Sequence, residues 1–144
     1  MINEDTIHLL KECDAGSKMA VSSIDDVLDS VKDAGLQKLL TESKAHHEKL
    51  GNEIHSLLIE YGSEEKDPNV MAKSMSWLKT NMKLGLDGRS CTIADLMTDG
   101  CDMGIKSLCK YLNQYPAANE TVMDLCNRLI DIEEQLRKEL RVYL

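Results

Sequence analysis

Four residues of this chain combine chemical reach with positions that a helix can turn inward: Asp14, His47, Asp102 and Glu133. An imidazole among carboxylates can ligate a divalent metal such as iron or manganese, or it can close a buried hydrogen-bond network. His47 is the centre of the set. Leu36, Leu40, Ser43, His47, Leu50, Ile54, Leu57 and Tyr61 recur at four and three residues, the spacing that keeps one stripe of a helix facing its neighbours. The stripe is apolar at both ends and polar in the middle. His47 therefore sits where a purely structural helix would carry Leu or Ile, and it needs a partner.

The elements that must supply that partner follow from the same periodicity. A first helix over 4–33 carries Ile7, Leu10, Asp14, Ser17, Val21, Ile24, Leu28 and Val31 on one stripe, again with a polar middle. Gly16 inside it points to close packing against a neighbour. The pattern breaks at Ala34 and Gly35, a helix-closing signal, and the second helix over 36–61 returns as an antiparallel hairpin. After a polar loop, a short helix over 70–84 has Met71, Met75, Leu78 and Met82 on one face and Lys73, Lys79 and Lys83 on another. A third long helix over 92–115 opens with Thr92 and Asp95 as a capping-box-like pair. Its Gly100 and Gly104 would let another backbone come close, and Asp102 lies at the edge of its buried face. Pro116 stops it, Asn119 offers a cap, and a fourth helix over 119–143 turns Glu133 halfway toward the core.

Helical rise gives the levels. Counting about 1.5 Å per residue from Gly35 and Pro116 places His47 level with Asp102 and with Ile132 or Glu133. Asp14 falls about two turns lower, near Ile54 and His55. Three polar groups converge, and both a mononuclear metal site and a satisfied network fit them.

Composition bounds the partners. The chain has 144 residues and a net charge of -8, which suits one domain over 1–144 and argues against nucleic acid or an anionic membrane. No apolar run reaches membrane-spanning length, and Asn3, Glu4 and Asp5 do not open a signal sequence, so a cytoplasmic location is expected. Five cysteines without a CxxC or a zinc-site spacing read as reduced thiols. Cys101 and Cys126 should lie one to two turns apart in level, too far for a disulfide. Phe is absent and Met occurs eight times, so the core is aliphatic and Met-filled. No nucleophile–base pair or phosphate-binding loop is visible.

The connection of about 30 residues between the two hairpins is long enough to run the length of the bundle, so the third helix can lie parallel to the second. The segments HLLKEC, HHEKLGNEIHSLL, SMSWLKTNMKL and TIADLMTDGCDMGIKSLCKYLNQY also resemble the ferritin-like superfamily, and within it small bacterial, clostridial-type proteins with a W-L-K crossover helix. The resemblance implies an all-α, ferritin-like four-helix bundle, up-down-down-up, with the 70–84 helix in the crossover between helices 2 and 3. Metal-using members carry Glu on the first and third helices and Glu-x-x-His on the second and fourth. This chain departs from that set: Asp14 and Asp102 are short, Glu42 precedes His46 by four residues off the seam, and the fourth helix contains no His. The expectation is a non-catalytic bundle, a structural, stress-related or interaction module that forms a homo-oligomer such as a homodimer and needs no cofactor. The alternative is a rubrerythrin-like oxidoreductase or iron-handling protein with Asp14, His47, Asp102 and Glu133 as ligands of iron or manganese.

Overall fold

The computed structural model describes residues 2–63 and 88–144. Among them are four long α-helices, a closing turn of 3-10 helix and no strand: α1 (Glu4–Leu28), α2 (Ala34–Glu60), α3 (Ser90–Gln114), α4 (Glu120–Leu140), then Arg141–Tyr143. Three of the helices begin at a side-chain cap. Asn3 accepts from the Thr6 amide, Asp33 from the Leu36 amide and Asn119 from the Val122 amide, each pairing a backbone donor that the helix itself leaves open. The expected crossover helix over 70–84 lies outside the described residues. No helix among the described residues is long and apolar enough to cross a membrane.

Boundaries differ from the sequence reading in two places. The first break falls at residues 29–33 rather than at Ala34 and Gly35, because the Asp33 carboxylate caps α2 and draws both residues into its first turn. Gly35 is small for a different reason: a Cβ there would stand 2.6 Å from the Tyr143 hydroxyl. At the other break, α3 begins at Ser90 behind Arg89 with no side-chain cap, so Thr92 lies inside the helix and does not cap it.

Contacts at the two ends fix which helices share an end. Asn3 Nδ2 donates to the Ala117 carbonyl at 2.8 Å, the Asp5 carboxylate accepts from the Ala117 amide at 2.9 Å, and Thr6 Oγ1 accepts from the Asn119 amide at 2.9 Å. Asn119 also donates to the Tyr61 hydroxyl at 3.3 Å. The start of α1, the end of α2 and the turn between α3 and α4 thus meet. At the opposite end, Gly35 lies against Tyr143 and Gly88 against Lys32.

The core divides into two apolar clusters. One gathers Leu9, Leu10, Cys13, Leu50, Ile54, Leu58, Leu108, Val122, Leu125, Cys126 and Leu129. The other gathers Ile24, Val27, Leu36, Leu40, Ile93, Met97, Cys101, Leu136 and Leu140. Each fully buried aliphatic side chain contributes about 1.5–3 kcal/mol of hydrophobic stabilisation. Between the clusters the buried positions turn polar, with Asp14 and Ser17 on α1, Ser43 and His47 on α2 and Glu133 on α4, and half-buried Gly104 of α3 lies beside Glu133. The buried face of α1 is wider than one stripe and takes in Leu9, Cys13 and Val27, because α1 packs on α2, α3 and α4 together.

Candidate functional site

The polar waist is where the predicted residues can be followed one by one. His47 is 0% exposed and Glu133 7%. They meet directly: Nε2 of His47 lies 2.7 Å from Oε1 of Glu133. On the other side of the ring, Nδ1 is 2.8 Å from the Ser43 carbonyl oxygen, with the Ser43 hydroxyl farther off at 3.4 Å. A carbonyl only accepts, so Nδ1 carries a proton, and the short contact at Nε2 needs one more proton between ring and carboxyl. The pair is therefore an imidazolium facing a carboxylate or an imidazole accepting from a carboxylic acid. Burial alone would lower the imidazole pKa, but the hydrogen bond to Glu133, its charge and the Ser43 carbonyl outweigh it, and the net shift is upward. That favours imidazolium and carboxylate.

Cys101 is the buried thiol of this level of α3; burial first, then the Glu133 carboxylate, push it well above its ordinary range. A thiol held protonated is a poor nucleophile at neutral pH, so this cluster holds a proton and does not attack a substrate through sulfur. Gly104 lies beside the carboxyl, where a Cβ would make an ordinary contact of 3.5 Å with Oε2 of Glu133. The nearest atoms to a Cβ at Gly104 are those of the Glu133 side chain and not the neighbouring backbone that the glycine spacing suggests. At Gly100 a Cβ would meet nothing within 4 Å.

The other two candidates lie elsewhere. Asp102 is on the surface, where Arg137 donates to its carboxylate at 2.9 Å. Level alone placed Asp102 with His47; the rotation of α3 about its axis turns it outward. Asp14 is buried two turns away, paired with Lys18 at 2.9 Å and 3.5 Å from His55 Nδ1. The sequence missed Cys101 as a neighbour of Glu133, and the only signal for it was its place on the buried face of α3.

The four candidates do not gather at one point. Asp102 is engaged by Arg137, Asp14 is too distant, and among the described residues no three His, Cys, Asp or Glu side chains gather closely enough to hold a metal ion. Comparison of the chain with family models, curated proteins and solved structures returns no match.

Proposed function

We propose that the protein is a non-catalytic, ferritin-like helical bundle, up-down-down-up with one long crossover, in which a structural hydrogen-bond network takes the place of a di-iron site. The reading extends to a structural or interaction module that pairs with copies of itself. What supports the topology is the meeting of the α1 start with the α3–α4 turn and of Gly35 with Tyr143, the contacts expected when α1 and α4 start at one end and α2 and α3 at the other. The single observation that carries the functional reading is the 2.7 Å contact between His47 and Glu133, which uses the waist's imidazole and carboxylate on each other.

Melting decides between this reading and a metal-dependent one. Wild type and His47→Leu are compared in EDTA and then in excess iron or manganese, because a ligand bound only by the folded state raises stability with the logarithm of its concentration. No metal-linked gain is expected in either protein. A wild-type rise of several degrees that the mutant lacks would restore the iron- or manganese-binding alternative. Light scattering on the eluting peak tests self-association, and a monomer at every concentration would remove that part.

A further inference from the structure

Two contacts fix how α1 and α4 lie side by side. The Asn119 amide at the start of α4 donates to Thr6 Oγ1 across 113 residues of chain at 2.9 Å, and a Cβ on Gly16 would stand 3.8 Å from Leu129, which is removed from it by the same number of residues. Cys13 and Cys126 share that separation and fall between the two contacts. We propose that they form an oxidation site, at which a small uncharged hydroperoxide converts two buried thiols into a disulfide that ties α1 to α4. The proposal goes beyond the structural role given to the waist and uses neither His47 nor Glu133.

Register is the first argument. Cys13 lies seven residues after Thr6 and Cys126 seven after Asn119, almost two helical turns in each case, so both return to the stripe that carries the bond between Thr6 and Asn119. Gly16 and Leu129 continue the same stripe three residues farther on. The thiols are thus bracketed from both sides along two helices that keep one register. Both are 0% exposed, and both belong to one apolar cluster. Cys101, the third buried thiol, belongs to the other cluster.

Chemistry is the second. Contact with Cys13 outweighs burial at Cys126 and brings its thiol below the ordinary range, while the same contact and burial hold Cys13 well above it. One sulfur is readied to attack and the other keeps its proton. The Cys126 sulfur attacks one oxygen of hydrogen peroxide, the O–O bond breaks, and the departing oxygen leaves as water with the Cys126 proton. Cys126 is then a sulfenic acid. The Cys13 sulfur attacks the Cys126 sulfur, the S–O bond breaks as the S–S bond forms, and a second water carries away the hydroxyl and the Cys13 proton. Two thiols supply two electrons, and one peroxide accepts them.

The surroundings are the third. Leu9, Leu10, Val122 and Leu125 of the same cluster offer nothing to solvate a charge, so a peroxide that is uncharged and close to water in size enters where a bulky aromatic or anionic thiol reagent does not. The disulfide product is uncharged as well. Oxidation of either thiol to a sulfinate would bury a charge in the same cluster, and burial opposes it. Closing the long stretch of chain between Cys13 and Cys126 also restricts the unfolded state, so the oxidised protein is the more stable form.

The test uses the whole chain carrying Cys91→Ser and Cys109→Ser, both at exposed positions, treated with hydrogen peroxide in EDTA, then alkylated in denaturant and mapped by non-reducing tryptic digestion. The expected result is a loss of two hydrogens, a Cys13–Cys126 crosslinked peptide pair, an alkylated Cys101 and a urea midpoint above that of the reduced protein, all reversed by dithiothreitol. Adding Cys13→Ala should end the crosslink and slow peroxide oxidation of Cys126, because the contact that lowers its pKa is gone. Native protein that keeps both thiols open to alkylation, a crosslink that forms only in urea, pairing of either thiol with Cys101, or an oxidised midpoint at or below the reduced one would each overturn the proposal. The map decides without the Cys13→Ala variant should that variant not fold. The metal melts fail or succeed independently of these outcomes.

Discussion

Nε2 of His47 and Oε1 of Glu133 lie 2.7 Å apart although 86 residues separate them in the chain, and the imidazole is wholly shielded from water. Removing one member of such a pair strands the other. His47→Leu leaves a buried carboxylate facing Leu, and a loss of about 3 kcal/mol is expected. The double change His47→Leu with Glu133→Leu removes the stranded charge and should return to within about 1 kcal/mol of wild type or exceed it. Urea unfolding of the four proteins forms the cycle; additive losses would show that the two residues are not coupled.

The upward shift of the His47 pKa sets the sign of the pH dependence. Its stabilisation is fully present below the unfolded imidazole value of about 6.5 and is lost as pH rises from there through the folded value. The groups facing the ring are Glu133 and the Ser43 carbonyl, with Cys101 behind Glu133. Between about pH 6 and 8, short of thiol ionisation, wild type should lose stability with pH more steeply than the His47→Leu, Glu133→Leu double variant. Parallel slopes in urea melts would contradict the raised imidazole.

Thiol reactivity should follow burial. Cys91 and Cys109 are exposed, whereas Cys13, Cys101 and Cys126 are buried. A colorimetric thiol titration of native protein should find two fast thiols, and the remaining three should react only after unfolding. Burial and Glu133 hold Cys101 protonated, and contact with the Cys126 thiol, ahead of burial, does the same for Cys13. Cys101 belongs to one core cluster and Cys126 to the other, so a native disulfide between them in a peptide map would refute the packing described.

Gly35 and Tyr143 should be coupled in stability. A Cβ on Gly35 would stand 2.6 Å from the Tyr143 hydroxyl, while Ala is the better helix former by about 1 kcal/mol. Gly35→Ala alone should change stability little or lower it, and in a Tyr143→Phe background the same substitution should gain about 1 kcal/mol. An equal effect in both backgrounds would mean that the hydroxyl does not limit this position. Gly16 is the contrast: its Cβ would make ordinary contacts of 3.8 and 3.9 Å with Leu129 and Leu108. Gly16→Ala should therefore stabilise by about 0.5–1 kcal/mol in thermal melts.

What the sequence determined by itself is what helix geometry makes linear. Periodicity located the four described long helices, and a rise of about 1.5 Å per residue gave the levels, so His47 beside Glu133 and Asp14 beside His55 were both legible from residue counting. Asn119 as a cap was legible too, because capping is a local side-chain-to-backbone bond. What only the tertiary structure decided is rotation about each helix axis and the use of small residues. Asp102 shares its level with His47 yet points to Arg137, since one residue along a helix turns the side chain about 100°. Gly35 reads as a stop and is instead a seat for Tyr143, more than a hundred positions away, while Gly100 and Gly104 read as a backbone contact and instead face open space and the Glu133 side chain. Those roles depend on what the neighbouring helix places opposite, and helix packing sets that only when the chain has folded.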